Sequence, residues 1–176
     1  MLIDAARCSL LVVDMQTRLL PAIDGNQEIL QQAIWLVRLA RQLQLPIVAS
    51  EQYPQGLGTT HADLMAELPV DCVVSKTHFS CVAADCLDSA REQWVLCGIE
   101  AHVCVMQTAI ELKASGAEVF VVASAVGSRR SQDKECALQR LRQHGIEIVS
   151  PEMVAFECLR VAGTPLFREI SREFLR

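Results

Sequence analysis

The stretch that decides the fold is Cys8-Ser9-Leu10-Leu11-Val12-Val13-Asp14, a short apolar run that ends in an acid. Such a run is typical of a central parallel strand, because a strand covered by helices on both faces has no polar side to expose. The run therefore predicts a buried strand with Asp14 at its carboxyl end.

Further apolar runs of strand length alternate with helical patterns along the rest of the chain. The predicted strands lie at residues 45–49, 72–75, 93–97, 118–123 and 147–150. The predicted helices lie at residues 26–44, 83–91, 103–115 and 131–143. This alternation favours an α/β fold, a three-layer doubly wound sheet of about six parallel strands with helices on both faces. No linker or repeat interrupts the pattern, so we expect one domain over residues 1–176.

Composition and charge exclude several classes of protein. Half of the 176 residues are hydrophobic (51%), which excludes intrinsic disorder. The net charge is -5 and there is no basic block, so nucleic acid is not the expected partner. No apolar run reaches the roughly 18 residues that a membrane span needs. The eight cysteines are scattered without a CxxC pair, which predicts free thiols in a soluble, cytoplasmic protein.

The tail after residue 150 predicts an additional packing surface. A Gly-Thr-Pro break at residues 163–165 precedes an amphipathic segment with Leu166, Phe167, Ile170 and Phe174 on its apolar side. That side could cover its own domain or bury against a second subunit. We expect a homo-oligomer, because one small domain rarely leaves such a surface bare.

Three chemically reactive side chains follow predicted strands. Asp14 follows the first strand, Lys76 the third, and Cys104 lies where the fourth strand leads into a helix. Open α/β sheets bind ligands at the carboxyl ends of their strands. A helix N-terminus and a nearby lysine favour a thiolate, and an aspartate can move the thiol proton. The alternative readings are a capping aspartate, a solvated lysine and a core cysteine.

The sequence around these residues resembles the isochorismatase-like cysteine hydrolases. The resemblance is carried by Leu11-Val12-Val13-Asp14-Met15-Gln16, Ser75-Lys76-Thr77 and Gly98-Ile99-Glu100-Ala101-His102-Val103-Cys104-Val105. It covers essentially the whole chain, and the third motif is specific to the branch with the YcaC-type hydrolases and the isochorismatase-domain proteins of animals. The segment Glu51-Gln52-Tyr53-Pro54 is also similar to that branch.

The resemblance implies a role for each site residue. It implies that Cys104 is the nucleophile, Asp14 the general base, and Lys76 the cation that holds the thiolate and orients the aspartate. It also implies a cis peptide bond between Ile99 and Glu100, with the backbone N–H groups of Glu100 and Cys104 forming an oxyanion hole.

The resemblance also bears on metals. Metal-dependent nicotinamidases of the superfamily carry an Asp-x-His pair after the second strand, where this chain has Ser50-Glu51-Gln52-Tyr53. The four histidines lack metal-ligand spacing. We therefore expect no metal and no other cofactor.

These observations predict a metal-independent cysteine hydrolase that acts on a small amide, ester or related acyl-type substrate through a covalent Cys104 intermediate. Two alternatives from other classes stay open. The protein could be a catalytically silent interaction or structural module, or Cys104 could be a redox-sensing thiol, since an exposed thiolate is also oxidisable.

Overall fold

The computed structural model describes residues 1–88 and 90–175. Its centre is a sheet of six parallel strands in the order β3-β2-β1-β4-β5-β6. The strands are β1 (Cys8–Val13), β2 (Ile47–Gln52), β3 (Val73–Lys76), β4 (Gln93–Ile99), β5 (Glu118–Gly127) and β6 (Glu147–Val149). This sheet confirms the predicted fold class. The strand order reverses between β1 and β4, which is the position where ligand sites form in sheets of this kind.

Helices cover both faces of the sheet. The longer helices are α1 (Asn26–Gln42), α4 (Met106–Ala114), α5 (Ser131–Gln143), α6 (Pro151–Leu159) and α7 (Pro165–Phe174). Two helices of one turn, α2 (Pro54–Leu57) and α3 (Ala62–Met65), lie between β2 and β3.

Alternate residues of β1 divide the core into two halves. Leu10 and Val12 pack in the half that includes α1, α6 and α7. Leu11 and Val13 pack in the half that includes α4 and α5. Successive side chains of a strand point to opposite faces, so a strand buried on both faces must be apolar throughout. All six residues of β1 are buried, as the opening sequence predicted.

One predicted helix is wrong. Residues 83–91 were expected to be helical, but residues 81–85 form turns and the described part of this segment, which omits Ser89, contains no helix. The Ser80 hydroxyl accepts a hydrogen bond from the Val82 amide at 3.1 Å, and Asp85 has a left-handed φ of 52°. A side chain that bonds the local backbone and a left-handed residue both favour a turn over a helix.

Other boundaries shift by a few residues. The helix predicted at 26–44 ends at Gln42, and β2 runs from Ile47 to Gln52 rather than over 45–49. The helix predicted at 103–115 begins as a π-helical turn, Ala101–Val105, that continues into α4. Helix ends are hard to predict because apolar periodicity extends past the last hydrogen-bonded turn.

The tail covers its own domain. Ile170 of α7 is fully buried, and the ring of Phe174 meets Trp35 of α1 edge to face with centroids 5.2 Å apart. Leu166 remains 41% exposed at the start of α7. None of the helices within residues 1–88 and 90–175 combines the length and apolar character needed to cross a membrane.

The register between β1 and β4 depends on a residue without a side chain. Gly98 pairs with Val13, has a φ of +122°, and a Cβ there would lie 2.1 Å from the Val13 carbonyl oxygen. We expect Gly98→Ala to lower the free energy of unfolding by about 3 kcal/mol, because a backbone atom cannot move aside as a side chain can. Urea denaturation would measure the change.

The matched control is Gly25→Ala. Gly25 also has a left-handed φ, +68°, but a Cβ there meets no atom within 4 Å. This variant should lose only about 1 kcal/mol, the cost of the backbone conformation alone. If both variants lost the same free energy of unfolding, crowding of the Gly98 position against Val13 of β1 would not be the cause.

Candidate active site

The carboxyl ends of β1, β2 and β3 bring three polar side chains together. Asp14 follows the last residue of β1, Ser50 lies in β2, and Lys76 is the last residue of β3. The Asp14 amide donates to the Ser50 carbonyl oxygen at 3.0 Å, which keeps the chain beside β2 as it leaves the sheet. Asp14 has a left-handed φ of 51°, so the chain turns sharply there.

Asp14 and Lys76 form a buried ion pair. The Lys76 Nζ lies 2.8 Å from Asp14 Oδ2, and both side chains are 0% exposed. The Ser50 hydroxyl donates to the other carboxylate oxygen, Oδ1, at 2.6 Å. Both carboxylate oxygens therefore have a donor, which offsets part of the cost of burying the charge.

Lys76 makes three polar contacts, which equals the number of protons on its ammonium group. Besides Asp14, it donates to Gln52 Oε1 at 2.7 Å and to the Phe79 carbonyl oxygen at 3.1 Å. Gln52 is held in turn by Gln16, whose Oε1 accepts from the Gln52 amide at 2.8 Å. This arrangement leaves Lys76 no proton with which to bind another molecule.

Sequence reasoning missed Ser50 and Gln52. The predicted strand ended at residue 49, before both of them, whereas β2 continues to Gln52. The signal was present in the sequence, since two polar residues at the end of an apolar strand point to the same edge as Asp14. A strand predicted to end at residue 49 does not place these two side chains at that edge, so their relation to Asp14 was not recognised.

Cys104 lies in the π-helical turn Ala101–Val105 and is 5% exposed. Burial raises the pKa of its thiol well above the ordinary range, the negative charge of Asp14 raises it further, and the charge of Lys76 opposes these effects. The net direction is upward, against the thiolate that the helix end and the lysine favoured in the sequence analysis.

The raised pKa of the Cys104 thiol has a measurable consequence. We expect iodoacetamide to label Cys104 slowly at neutral pH and up to about tenfold faster for each pH unit above about 8, because only the thiolate reacts and its fraction rises with pH. Mass mapping of labelled peptides at several pH values would follow the rate. Rapid labelling that is independent of pH between about 6 and 8 would contradict a raised pKa.

The turn that precedes Cys104 is held by its own polar network. The peptide bond between Ile99 and Glu100 is cis. The Glu100 carbonyl oxygen accepts from the amides of Val103 and Val105 at 3.1 and 3.2 Å. The Glu100 carboxylate accepts from the amide and the guanidinium group of Arg129, at 3.2 and 3.1 Å. Arg129 therefore pairs with Glu100.

The acidic residue beside Gln52 is held by Thr60. Glu51 Oε1 accepts from the Thr60 amide at 2.7 Å and from the Thr60 hydroxyl at 2.8 Å. Over residues 1–88 and 90–175, no cluster of three or more His, Cys, Asp or Glu side chains is arranged to hold a metal ion.

A small cavity lies beside Lys76. Its volume is about 270 Å³, and Lys76, Tyr53, His78 and Thr77 are among the residues that line it. Tyr53 is 55% exposed and has a left-handed φ of 38°. A larger cavity of about 480 Å³ lies at the opposite, amino end of the strands, beside Arg7, Glu92 and Glu118. Of the two charged residues of the ion pair, Lys76 lines the smaller cavity and Asp14 does not.

Comparisons with known proteins bear on the family and the fold. The sequence model of the family described as "Isochorismatase domain" matches residues 8–153. Isochorismatase domain-containing protein 2 of Danio rerio is 38% identical over 168 residues, which cover 93% of this chain and 84% of that protein.

Two solved structures are also similar. One is described as the MAR1 ribonuclease of Caenorhabditis elegans; it has a TM-score of 0.93 and 31% identity, covering 100% of this chain and 93% of that one. The other is the YcaC gene product of Escherichia coli, described as an octameric hydrolase of unknown specificity. It has a TM-score of 0.85 and 23% identity, and the match covers 91% of this chain and 83% of that one.

Proposed function

Because the chain belongs to the isochorismatase family, we propose that it is a metal-independent hydrolase of a small amide, ester or related acyl-type substrate, with Cys104 as its nucleophile. Asp14 serves as the general base and Lys76 as the cation that orients it. The observation that carries this proposal is the buried Asp14–Lys76 pair, whose two charges both shift the pKa of the Cys104 thiol.

The first half of the reaction begins from the protonated thiol. Asp14 takes the proton of Cys104 as the sulfur attacks the substrate carbonyl carbon, so no free thiolate has to persist in the buried site. The negative charge that develops on the carbonyl oxygen is met by the backbone N–H groups of Glu100 and Cys104. Asp14 then returns the proton to the leaving amine or alcohol, and a thioester remains on Cys104.

The second half uses the same groups. A water molecule attacks the thioester carbon while Asp14 takes a proton from it. The C–S bond breaks, the acid product leaves, and Asp14 gives its proton back to Cys104. One water is consumed for each bond cleaved, and the enzyme returns to its starting state.

Lys76 acts through Asp14 rather than on the substrate. All three of its protons are donated to protein acceptors, namely Asp14, Gln52 and the Phe79 carbonyl group. Its positive charge also lowers the pKa of the Cys104 thiol, in opposition to burial. Lys76 is therefore a positioning residue whose charge makes proton transfer from Cys104 less costly.

A small uncharged or weakly charged substrate fits the site best. The cavity that borders Lys76 measures about 270 Å³, close to the lower end of the range for small-molecule sites. RNA is the competing substrate class, because the similar C. elegans structure is described as a ribonuclease. The net charge of -5 argues against it, since RNA binding depends on neutralising phosphates.

We also propose that the protein assembles into a homo-oligomer. Leu2, Met153 and Phe156 are each between 44% and 54% exposed and line one cavity of about 450 Å³. Exposed apolar side chains grouped in this way are typical of subunit interfaces. The E. coli YcaC structure is described as an octamer, which supports the same conclusion.

The proposed activity can be tested with a panel of small amides, esters, imides and thioesters, together with a short RNA. Samples quenched in acid during turnover should show, by intact mass, an acyl group on the protein that maps to the peptide containing Cys104. Cleavage of RNA with no turnover of the small molecules would overturn the substrate class. An acyl group on another residue would overturn the nucleophile.

A further inference from the structure

Two more cysteines lie at the edge of the site, on the turn that follows β3. Cys81 is fully buried, and Cys86 is partly exposed at the surface. The Cys86 amide donates to the Cys81 carbonyl oxygen at 3.3 Å, and the Cys86 thiol donates to the same oxygen at 3.2 Å. The turn therefore closes on itself and places the second cysteine directly against the first.

This pairing depends on the segment being a turn. In an α-helix, residues five positions apart lie about 140° apart around the axis, so their side chains leave from different faces. The turn over residues 81–86, with a left-handed φ of 52° at Asp85, brings Cys81 and Cys86 together instead. The Cys81 amide is anchored by the Thr108 hydroxyl at 3.0 Å.

The surroundings of Cys81 favour its ionised form. An ionised Cys81 takes the hydrogen bond of the Cys86 thiol in place of its own carbonyl oxygen, which lowers the pKa of Cys81, and the Ser50 hydroxyl and the charge of Lys76 lower it further. Burial and Asp14 act in the opposite direction, and the result is a pKa of about 7. Ser50 has a single hydroxyl proton, so an ionised Cys81 competes for it with Asp14.

The pKa values of other buried thiols shift in the opposite direction. Burial raises the pKa of both Cys8 and Cys97 to about 12, and Cys104 is raised as well. Thiolates react with peroxides and thiols do not, so Cys81 differs in chemistry from these neighbours. The pKa of Cys86 is raised by its hydrogen bond to Cys81, so it keeps its proton until Cys81 has reacted.

We propose that Cys81 and Cys86 form a peroxide-reactive dithiol that closes to an intramolecular disulfide. The Cys81 sulfur attacks one oxygen of hydrogen peroxide, an S–O bond forms, the O–O bond breaks, and the released hydroxide takes up a proton to become water. Cys86 then loses its proton and attacks the Cys81 sulfur, and the second oxygen leaves as water. Two thiols are oxidised to one disulfide, and one peroxide is reduced to two waters.

The turn over residues 81–86 can accept a disulfide bond between Cys81 and Cys86. A disulfide needs α-carbons about 4.4 to 6.8 Å apart, and the hydrogen bond from the Cys86 amide to the Cys81 carbonyl already brings the two backbones together. No helix or strand spans the two cysteines, so no regular element has to break for the sulfurs to meet. The reaction needs neither Cys104 nor substrate turnover.

Peptide mapping can test the proposal, because trypsin cleaves after Lys76 and Arg91 and leaves both cysteines on one peptide, residues 77–91. Reduced protein is treated with one equivalent of hydrogen peroxide at neutral pH, then unfolded, alkylated and digested. Peptide 77–91 should be two hydrogen atoms lighter and carry no alkyl group. Peptide 92–113, which holds Cys97 and Cys104, should remain fully alkylated.

A synthetic peptide of residues 77–91 provides the rate reference. At neutral pH a thiol with a pKa near 7 has about fifteen times the thiolate fraction of an ordinary cysteine, and its lower nucleophilicity reduces this advantage to about threefold. Oxidation in the folded protein should therefore be about threefold faster than in the free peptide. If oxidation were no faster in the folded protein than in the free peptide, the folded surroundings of Cys81 would not activate its thiol.

Two variants complete the design. Cys86→Ser should abolish the disulfide and leave a sulfenic acid at Cys81 that dimedone captures. Cys136→Ser, at an exposed cysteine far along the chain, should oxidise like the unchanged protein. A cross-link between peptides 77–91 and 92–113 would join a cysteine of the turn to Cys97 or Cys104 and overturn the pairing. Full alkylation of peptide 77–91 after peroxide would overturn the proposal, whatever the variants do.

Discussion

Replacing Cys104 with alanine is expected to reduce the turnover of the cleaved substrate by about 10⁴-fold or more. Removing the nucleophile of a covalent hydrolase leaves only binding and oxyanion stabilisation, and a loss of this size or larger is usual for such residues. Because Cys104 is buried and small, the variant should fold normally. Steady-state kinetics on the best substrate from the panel would measure kcat and KM separately.

Cys97→Ala is the matched control for that experiment. Cys97 lies in β4, is fully buried and packs in the half of the core that includes α1, whereas Cys104 packs in the other half. This variant removes an equally buried sulfur away from Asp14 and should keep turnover within a few-fold of the unchanged protein. Similar losses in the two variants would contradict a specific chemical role for Cys104.

Replacing Lys76 with methionine is expected to lower the free energy of unfolding by about 3 to 5 kcal/mol. Methionine fills similar space, but it leaves the Asp14 carboxylate buried with a hydrogen bond from Ser50 and no opposite charge beside it. Breaking one side of a buried pair has a larger effect than replacing both sides, because the remaining charge stays desolvated. Denaturation by urea at neutral pH would measure the loss.

The double variant Asp14→Asn with Lys76→Met separates charge from packing. Asparagine tolerates the left-handed φ of 51° at position 14 and can still accept the Ser50 hydrogen bond. It carries no charge, so most of the stability lost in the single variant should return. A double variant as unstable as Lys76→Met alone would show that lost packing, and not the isolated carboxylate, causes the effect.

Much of the fold and part of the site could be predicted from the sequence alone. The apolar run ending at Asp14 and the alternation of strands with helices determined a parallel sheet, because each element must bury its own apolar face. Once parallel strands are established, their carboxyl ends must meet at one edge of the sheet. That rule placed Asp14, Lys76 and Cys104 at one edge, and Lys76 Nζ lies 2.8 Å from Asp14 Oδ2.

Only the tertiary structure decided the environment of each reactive group. The sequence predicted a thiolate at Cys104 from a nearby helix end and a lysine, whereas burial and the charge of Asp14 raise the pKa of that thiol. It predicted a helix over residues 83–91, whereas a turn there pairs Cys81 with Cys86. The physical reason is common to both differences. Desolvation and long-range charge depend on what packs around a group in space, and local sequence carries little information about that.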